Sequence, residues 1–553
     1  MTITYTTASL AENFINSIGV NTHIDFLSSS YSNLGAVETA INYLGVKNLR
    51  DSPENTADLG ATGLWQQVAN ATGAKFDAYM PEGSAATMQT SLGYISTLAG
   101  QGILTFLEGG NEEDQPYATS QGNSLAATAL FQQQVYSQGH QLGLKIINMS
   151  FGVGWSSPTG DYGTVGDLSA YTDYANAHVY PGTGNTPGAT LAALDADANL
   201  AASGKPVINT ELGWYTTGST TDTSNVSTTV QAKYMLDGLM DAYQAGNAKT
   251  YLYELLDQHA GSSNTEYNFG LFNADGSPKA AAAALHNLTS LLTDTGANAT
   301  GFTPGAISYQ LGGTLSTDHS MLMQKSDGTF WLSIWNEARL SGPTSPTDIS
   351  VPNHTVTLNL ASPAGNVTVY DPMTGTNAVQ AANNAQSVAI SLPDHPILVE
   401  ISGESAAAPA IAPDLTQKAD ITLLYQGALG RAPSSLELDY WSSIMANNVS
   451  SADQSQGLTH SLAQVSGGFN GSMSIADGFL QSGEFQAHYG GLDNHAFVNQ
   501  VYENALHRPA DAAGAQYWDN LLDTGAMTKA MVLVGIADSG EALKANAHLI
   551  PAS

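Results

Sequence analysis

Cysteine is absent from this 553-residue chain. That excludes disulfides, Cys-ligated zinc, iron–sulfur clusters and thiol nucleophiles. Basic residues are scarce: 15 Lys and Arg stand against 48 Asp and Glu, a formal net charge of −33. A surface of that sign repels phosphate backbones and anionic headgroups, which argues against general nucleic-acid or membrane-surface binding. Charge of either sign is low, at 11% of residues, and the surface is left to Ser, Thr, Asn, Gln and Gly. No apolar run reaches the roughly 18 residues of a membrane-spanning helix. The opening MTITYTTASLAENF has neither the basic start nor the apolar stretch of a conventional signal peptide. The expectation is a secreted or cell-surface protein exported by another route, with a cytoplasmic location as the alternative.

What is present is enough apolar residue, 42%, for several cores. Residues 1–300 alternate short apolar runs with segments of helical spacing. Eight runs read as strands: Gly19–Phe26, Lys47–Asp51, Lys75–Pro81, Ile103–Glu112, Lys145–Gly152, Ala175–Pro181, Pro206–Trp214 and Lys249–Asp257. Strands alternating with helices mean βαβ units and a parallel sheet. Eight units in this length fit a (β/α)8 TIM barrel. The alternative is an open doubly wound sheet, disfavoured because no Gly-rich phosphate loop follows the first strand. Residues 301–403 turn to short β-rich runs broken by Gly, Pro, Asn and Asp, which predicts an antiparallel β-sandwich. An Ala/Pro-rich linker over 404–415 precedes an all-α region, 416–553. That region repeats itself: Tyr425 and Tyr502, Arg431 and Arg508, Trp441 and Trp518 share an offset of about 77 residues. The repeated Tyr-Trp pairs read as core of a duplicated helix pair.

Barrel active sites sit at the C-terminal ends of the strands. Those ends supply Asn21, His23 and Asp25 (strand one), Arg50 (two), Glu108, Asn111 and Glu112 (four), His178 and Tyr180 (six), Glu211 and Trp214 (seven), and Tyr253 and Glu254 (eight). Glu112 and Glu211 come from opposite sides of an eight-strand ring, so they can face each other across its mouth. Cleavage of a glycosidic bond needs such a pair: one acid protonates the leaving oxygen and the other attacks the anomeric carbon or activates water. Within Gly110-Asn111-Glu112-Glu113-Asp114, strand alternation favours Glu112 as the inward carboxylate. Arg50 is either a rim ion pair or part of the site. His23 and His178 are either satisfied core histidines or site residues. Glu108 and Glu254 are either buried and paired or substrate-binding. Trp155, Trp214 and Tyr215 either stack on sugar rings or pack. Asp371 and Asp394 read as turn residues. No metal motif is present, and neither metal nor cofactor is expected.

With Asn-Glu closing strand four, Glu on strand seven and Arg on strand two, residues 15–300 resemble the clan A glycoside hydrolases, retaining enzymes on a (β/α)8 barrel. The attached sandwich is similar to family 39 and family 30 arrangements. The resemblance implies Glu112 as general acid/base, Glu211 as nucleophile, Asn111 on the sugar 2-hydroxyl and Arg50 beside the nucleophile. It implies that His178 or Tyr180 touches the nucleophile or the sugar. Tyr251, Tyr253 or Glu254 stands where many members carry Trp under the sugar. Asn268–Lys279 resembles the turn after the last strand in several families of the clan.

The motifs Leu-Tyr, Leu-Gly-Arg, Tyr-Trp and Ser-Gly-Glu-Phe of the helical region resemble a domain of unknown function, DUF4214, related to phycobilisome linker repeats. That resemblance implies a secreted or surface-attached protein and contact with the cell surface or export machinery. The function expected is cleavage of β-glycosidic bonds in a polysaccharide or oligosaccharide by double displacement. The alternatives are a glycan-binding protein on a degenerate hydrolase barrel and a scaffold built around the helical repeat.

Overall fold

The computed structural model describes residues 4–403 and 415–549, except 55–56, 58, 61, 82–83, 117–119, 121–123, 153–157, 183, 343, 345, 435–436, 439, 442–474, 525–526, 538 and 547–548. Two units result, Met1–Ala407 and Ala408–Ser553.

Two strands open the chain, β1 (Thr4–Thr7) and β2 (Ser9–Leu10). Eight parallel strands follow: β3 (Ile18–Asn21), β4 (Asn48–Asp51), β5 (Lys75–Met80), β6 (Leu104–Gly110), β7 (Lys145–Ile147), β8 (Ala175–Val179), β9 (Val207–Gly213) and β10 (Lys249–Tyr253). They pair in the order β7-β6-β5-β4-β3-β10-β9-β8. A parallel bridge between Ile147 and Tyr174 brings β7 to β8 and all but closes the ring. This is the (β/α)8 barrel expected from the eight runs. All but β4, which ends at Asp51 as expected, stop short of their expected C-terminal ends. The surplus residues, among them His23, Glu112 and Tyr180, leave the ladder to form the loops of the barrel mouth.

Helix boundaries follow local chemistry. Leu34–Leu44 starts where the Asn33 side chain accepts from the Ala36 N–H and stops at Gly45, with φ of 73°. Only a residue without Cβ takes that cap cheaply. Inside the ring, alternation sorts side chains into layers. Phe106, Ile147, Ile208 and Tyr251 form an apolar layer of their own. Two residues further along β6 and β9 stand Glu108 and Thr210, so the layer above is polar.

The remaining strands are β11 (Ala306–Gly312), β12 (Asp318–Gln324), β13 (Phe330–Asn336), β14 (His354–Tyr370), β15 (Ala378–Leu392) and β16 (Ile397–Ser402). They give the expected β-rich domain as one continuous mixed sheet, in the order β1-β11-β14-β16-β13-β12-β2 with β15 on β14, and it differs from the expectation in two ways. The runs at 354–360 and 366–371 fuse into β14, because the stretch holding Pro363 is taken up as a register shift between Asn359 and Ala364. And β1 and β2 belong to this sheet rather than to the 1–300 barrel: β1 pairs antiparallel with β11, and β2 pairs parallel with β12. Asp371 and Asp394 lie in its turns, and Asp394 also binds Lys233 of a barrel helix at 2.6 Å.

In the second unit the duplication is visible in the contacts. Trp441 donates its indole N–H to Tyr425 at 3.0 Å, and Trp518 does the same to Tyr502 at 3.3 Å. Arg431 pairs with Glu484 and Arg508 with Glu541, both at 2.7 Å. Of each adjacent Tyr-Trp pair only the Trp packs into the helical core, because Tyr440 and Tyr517 are exposed. Among the described residues, no helix is long and apolar enough to cross a membrane.

Candidate active site

The mouth of the barrel is a cavity of about 840 Å³. Its wall includes Asn111, Glu112, Tyr180, Glu211, Trp214, Tyr253 and His23. Glu112 reaches it through a tight turn. Near the end of β6, Gly109 stands where a Cβ would lie 2.9 Å from the Met149 backbone nitrogen. Glu112 itself takes φ of 45°, in the left-handed region that side chains rarely adopt. Such strain persists only where the surroundings enforce it, and it gathers at functional sites.

Arg50 organises the floor and is 1% exposed. Its Nε and Nη2 grip both oxygens of Glu108, at 2.7 and 2.8 Å. Nη1 donates to Glu211 Oε1 at 2.7 Å and to Asn21 at 2.9 Å, and Nη2 donates to Asn111 Oδ1 at 2.6 Å. The guanidinium also lies 4.1 Å over the Tyr79 ring. Burial works against its charge, but Glu108 and Glu211 hold its pKa above the usual value. Glu108 is thus the paired, buried carboxylate of the two roles open to it.

His178 stands between the two candidate carboxylates. Its Nδ1 is 2.7 Å from Glu112 Oε1 and 3.4 Å from Glu211 Oε2. Its Nε2 faces Arg50 Nη2 at 3.5 Å. A guanidinium only donates, so Nε2 carries the lone pair and Nδ1 the proton. Burial keeps this imidazole neutral against the pull of Glu211. With Oε1 of Glu112 accepting from Nδ1, the acid proton of Glu112 belongs on Oε2, which also meets the Gln115 amide.

The two carboxylates differ in what faces them. Burial, and then the charge of Asp114, push the Glu112 pKa up to about 8. Burial raises Glu211 too, and its shift stays upward, but the Arg50 charge and the Tyr180 hydroxyl work against the rise. The proton of the pair therefore resides on Glu112, and Glu211 is the ionised member. A carboxylate oxygen from each, with His178 Nδ1 or Nε2, falls within 4.8 Å of the others. Such a trio can hold a cation, but the Arg50 charge already sits on Glu211 and opposes one.

Three expected residues lie elsewhere. Asp25 sits in the turn after β3 and does not line the cavity, because the chain leaves the ladder at Asn21. Glu254 lies fully buried behind the wall, where Tyr31 donates to it at 3.1 Å and Gln258 at 3.3 Å. Trp155 lies outside the described residues. His23 reaches the wall and meets the Tyr253 hydroxyl at 3.2 Å; burial, and then Arg50, lower its pKa to about 3. Trp214 and Tyr215 line the cavity, and Trp214 also packs against Tyr234. Sequence reading missed Tyr79, Gln115, Glu54 and Glu266. Tyr79 had a signal, an aromatic at the C-terminal end of its strand. Glu266 had none: it lies in the loop after β10, where it accepts from the Tyr253 hydroxyl at 2.6 Å. Asp257 staples that loop through Lys279 at 2.7 Å.

Comparison with solved structures shows the fold. A monomeric beta-xylosidase from Caulobacter crescentus CB15 aligns with a TM-score of 0.50 at 12% identity, over 72% of this chain and 97% of that one. A family 39 glycoside hydrolase from Bacteroides cellulosilyticus WH2 aligns at 0.49 and 14%, over 71% and 82%. A glucosidase from Croceicoccus marinus aligns at 0.47 and 13%, over 66% and 91%. No curated protein matches by sequence. The first unit thus shares the fold of the beta-xylosidase, and residues 476–546, within the second, match the family described as "Domain of unknown function (DUF4214)".

Proposed function

We propose that the chain is a retaining glycoside hydrolase acting on β-linked, uncharged sugars of a polysaccharide or oligosaccharide. One observation carries the reading. Oxygens of Glu112 and Glu211 approach within 4.8 Å at the wall of one cavity, and only Glu211 has a guanidinium partner. Retaining enzymes hold their carboxyl groups about 5–5.5 Å apart, and inverting ones about 6.5–9.5 Å to admit a water. Glu211 Oε2 attacks the anomeric carbon while Glu112 Oε2 gives its proton to the departing oxygen. Water then enters, Glu112 takes one of its protons, and the hydroxide displaces Glu211. Arg50 and Tyr180 keep Glu211 ionised, and Asn111, its oxygen held by Arg50, presents its amide to the sugar.

We further propose that the protein acts at or outside the cell surface, with the helical unit making the surface or export contact. The deciding experiment uses a 2-deoxy-2-fluoro glycoside with an activated leaving group. The expected result is a covalent adduct on Glu211, mapped by mass spectrometry, with the product anomer retained by NMR. Glu211→Ala should lose turnover by at least about 1000-fold and still bind glycan. An inverted product, or wild-type turnover in that variant, removes the assignment. Binding without any release of reducing sugar by the wild-type chain leaves a glycan-binding barrel instead.

A further inference from the structure

We propose that Asp241, Glu337 and His319 form a site for a divalent transition-metal ion of the Zn²⁺ or Mn²⁺ kind, at the joint between the barrel and the β-sheet. Asp241 lies on the barrel helix Thr228–Gln244, His319 on β12, and Glu337 just beyond β13. Three donor atoms, one from each residue, lie within 4.8 Å of one another. His319 Nε2 is 3.6 Å from Glu337 Oε2.

The inner and outer oxygens of the carboxylates are treated differently. Asp241 Oδ2 is buried and has no hydrogen-bond partner. Its other oxygen accepts from the Trp335 indole at 2.8 Å. Glu337 Oε1 accepts from the Gly188 N–H at 2.6 Å. Donors behind each carboxylate orient the inner oxygens, as they do behind metal ligands. Trp335 also stacks on the His319 ring, with centroids 5.4 Å apart, so one indole positions two of the three groups. A Cβ at position 188 would lie 3.0–3.1 Å from both Glu337 oxygens and Asp241 Oδ2, so glycine keeps the meeting point of these atoms clear.

Among the described residues the cation that bears on Asp237 is Lys233, and it is committed elsewhere. One helical turn before Asp241, Asp237 is 0% exposed, and neither of its oxygens has a hydrogen-bond partner. The negative charges that bear on it most are Asp241 and Glu337. Lys233, on the same helix, is committed to Asp394 at 2.6 Å. Among the described residues no Lys or Arg pairs with Asp237, Asp241 or Glu337. Gathered buried carboxylates are costly without a cation. Two carboxylate oxygens and an imidazole suit a borderline ion, and the partly exposed His319 leaves water access to the remaining positions. Such an ion would tie the helix that follows β9, the strand of Glu211, to the sheet.

The test is metal binding by the full chain after chelator treatment, with ZnCl2 and MnCl2 titrated separately. One tightly held equivalent of at least one of the two is expected after desalting, measured by elemental mass spectrometry. The midpoint of thermal unfolding should rise by about 3 °C or more at saturation. Asp241→Asn and His319→Gln should each lose the equivalent and the shift, and Glu112→Gln should keep both. His319→Gln changes a partly exposed side chain, so it reports even if Asp241→Asn does not fold. No retained equivalent of either ion would overturn the site and leave a proton shared between Asp241 and Glu337. An equivalent that survives in His319→Gln would overturn it as well.

Discussion

Arg50 Nη1 lies 2.7 Å from Glu211 Oε1, and the opposite edge of the same guanidinium grips the fully buried Glu108. One side chain thus sets the charge of the candidate nucleophile and neutralises a carboxylate in the barrel interior. Arg50→Met should cost about 3–5 kcal/mol of stability, because it leaves Glu108 buried without its cation. Arg50→Lys keeps a charge but not the two-pronged geometry. In that variant the Glu211 pKa should rise, the acid limb of the rate profile should move to higher pH, and kcat/KM should fall by roughly 100-fold. Thermal unfolding and pH–rate profiles check both. An unmoved acid limb in Arg50→Lys would show that the guanidinium does not tune Glu211.

Much of this was legible in the sequence, and what was not has physical causes. The eight barrel strands announce themselves as apolar runs at regular spacing. Glu112, Glu211 and Arg50 were picked out by their position at strand ends, where the fold puts side chains into the mouth. Glu254 shows the limit of that rule. It directly follows Tyr253, the last residue of β10, but lies outside the ladder, and its carboxylate is taken up by Tyr31 and Gln258 rather than by the cavity wall. Glu266 escaped because it lies thirteen residues past the last strand, in a loop whose return path depends on the Asp257–Lys279 ion pair. The placement of β1 in the sheet was hidden for another reason: TYTT fits any exposed edge, and only its partner, some three hundred residues later, decides which.

The cavity wall predicts selectivity. Glu54, Glu112, Glu211 and Glu266 line it, and among the described lining residues there is no Lys or Arg. A sugar carboxylate held about 6 Å from an ionised glutamate is repelled by roughly 3 kcal/mol at an effective dielectric of about 20, on the order of 100-fold in affinity. Matched aryl glycosides that differ only in the C6 group should therefore separate, with each neutral sugar ahead of its uronide in kcat/KM. High salt should narrow the gap. In Glu54→Gln/Glu266→Gln the gap should shrink further. A uronide hydrolysed as fast as its neutral partner would contradict the electrostatic reading of the wall while leaving the catalytic pair intact.

Glu112 links catalysis to stability through one proton. Its pKa stands at about 8 in the folded chain, pushed up by burial and then by Asp114, against about 4.5 for an ordinary glutamate. The acid form exists below that value, so kcat/KM on substrates with poor leaving groups should fall as pH rises through about 8. The folded state holds this proton more tightly than the unfolded chain. The resulting stabilisation is fully present below about pH 4.5 and is lost progressively as pH rises to about 8. Glu112→Gln mimics the protonated side chain and cannot ionise. Its melting temperature should match wild type near pH 5 and exceed it near pH 8.5, by up to a few kcal/mol in free energy. The same variant should lose the alkaline limb and about 100-fold or more in rate on poor leaving groups, with far smaller losses on dinitrophenyl glycosides. Parallel melting curves for the two proteins across this range would mean that Glu112 is already ionised in the folded state, and the acid role would pass to another group.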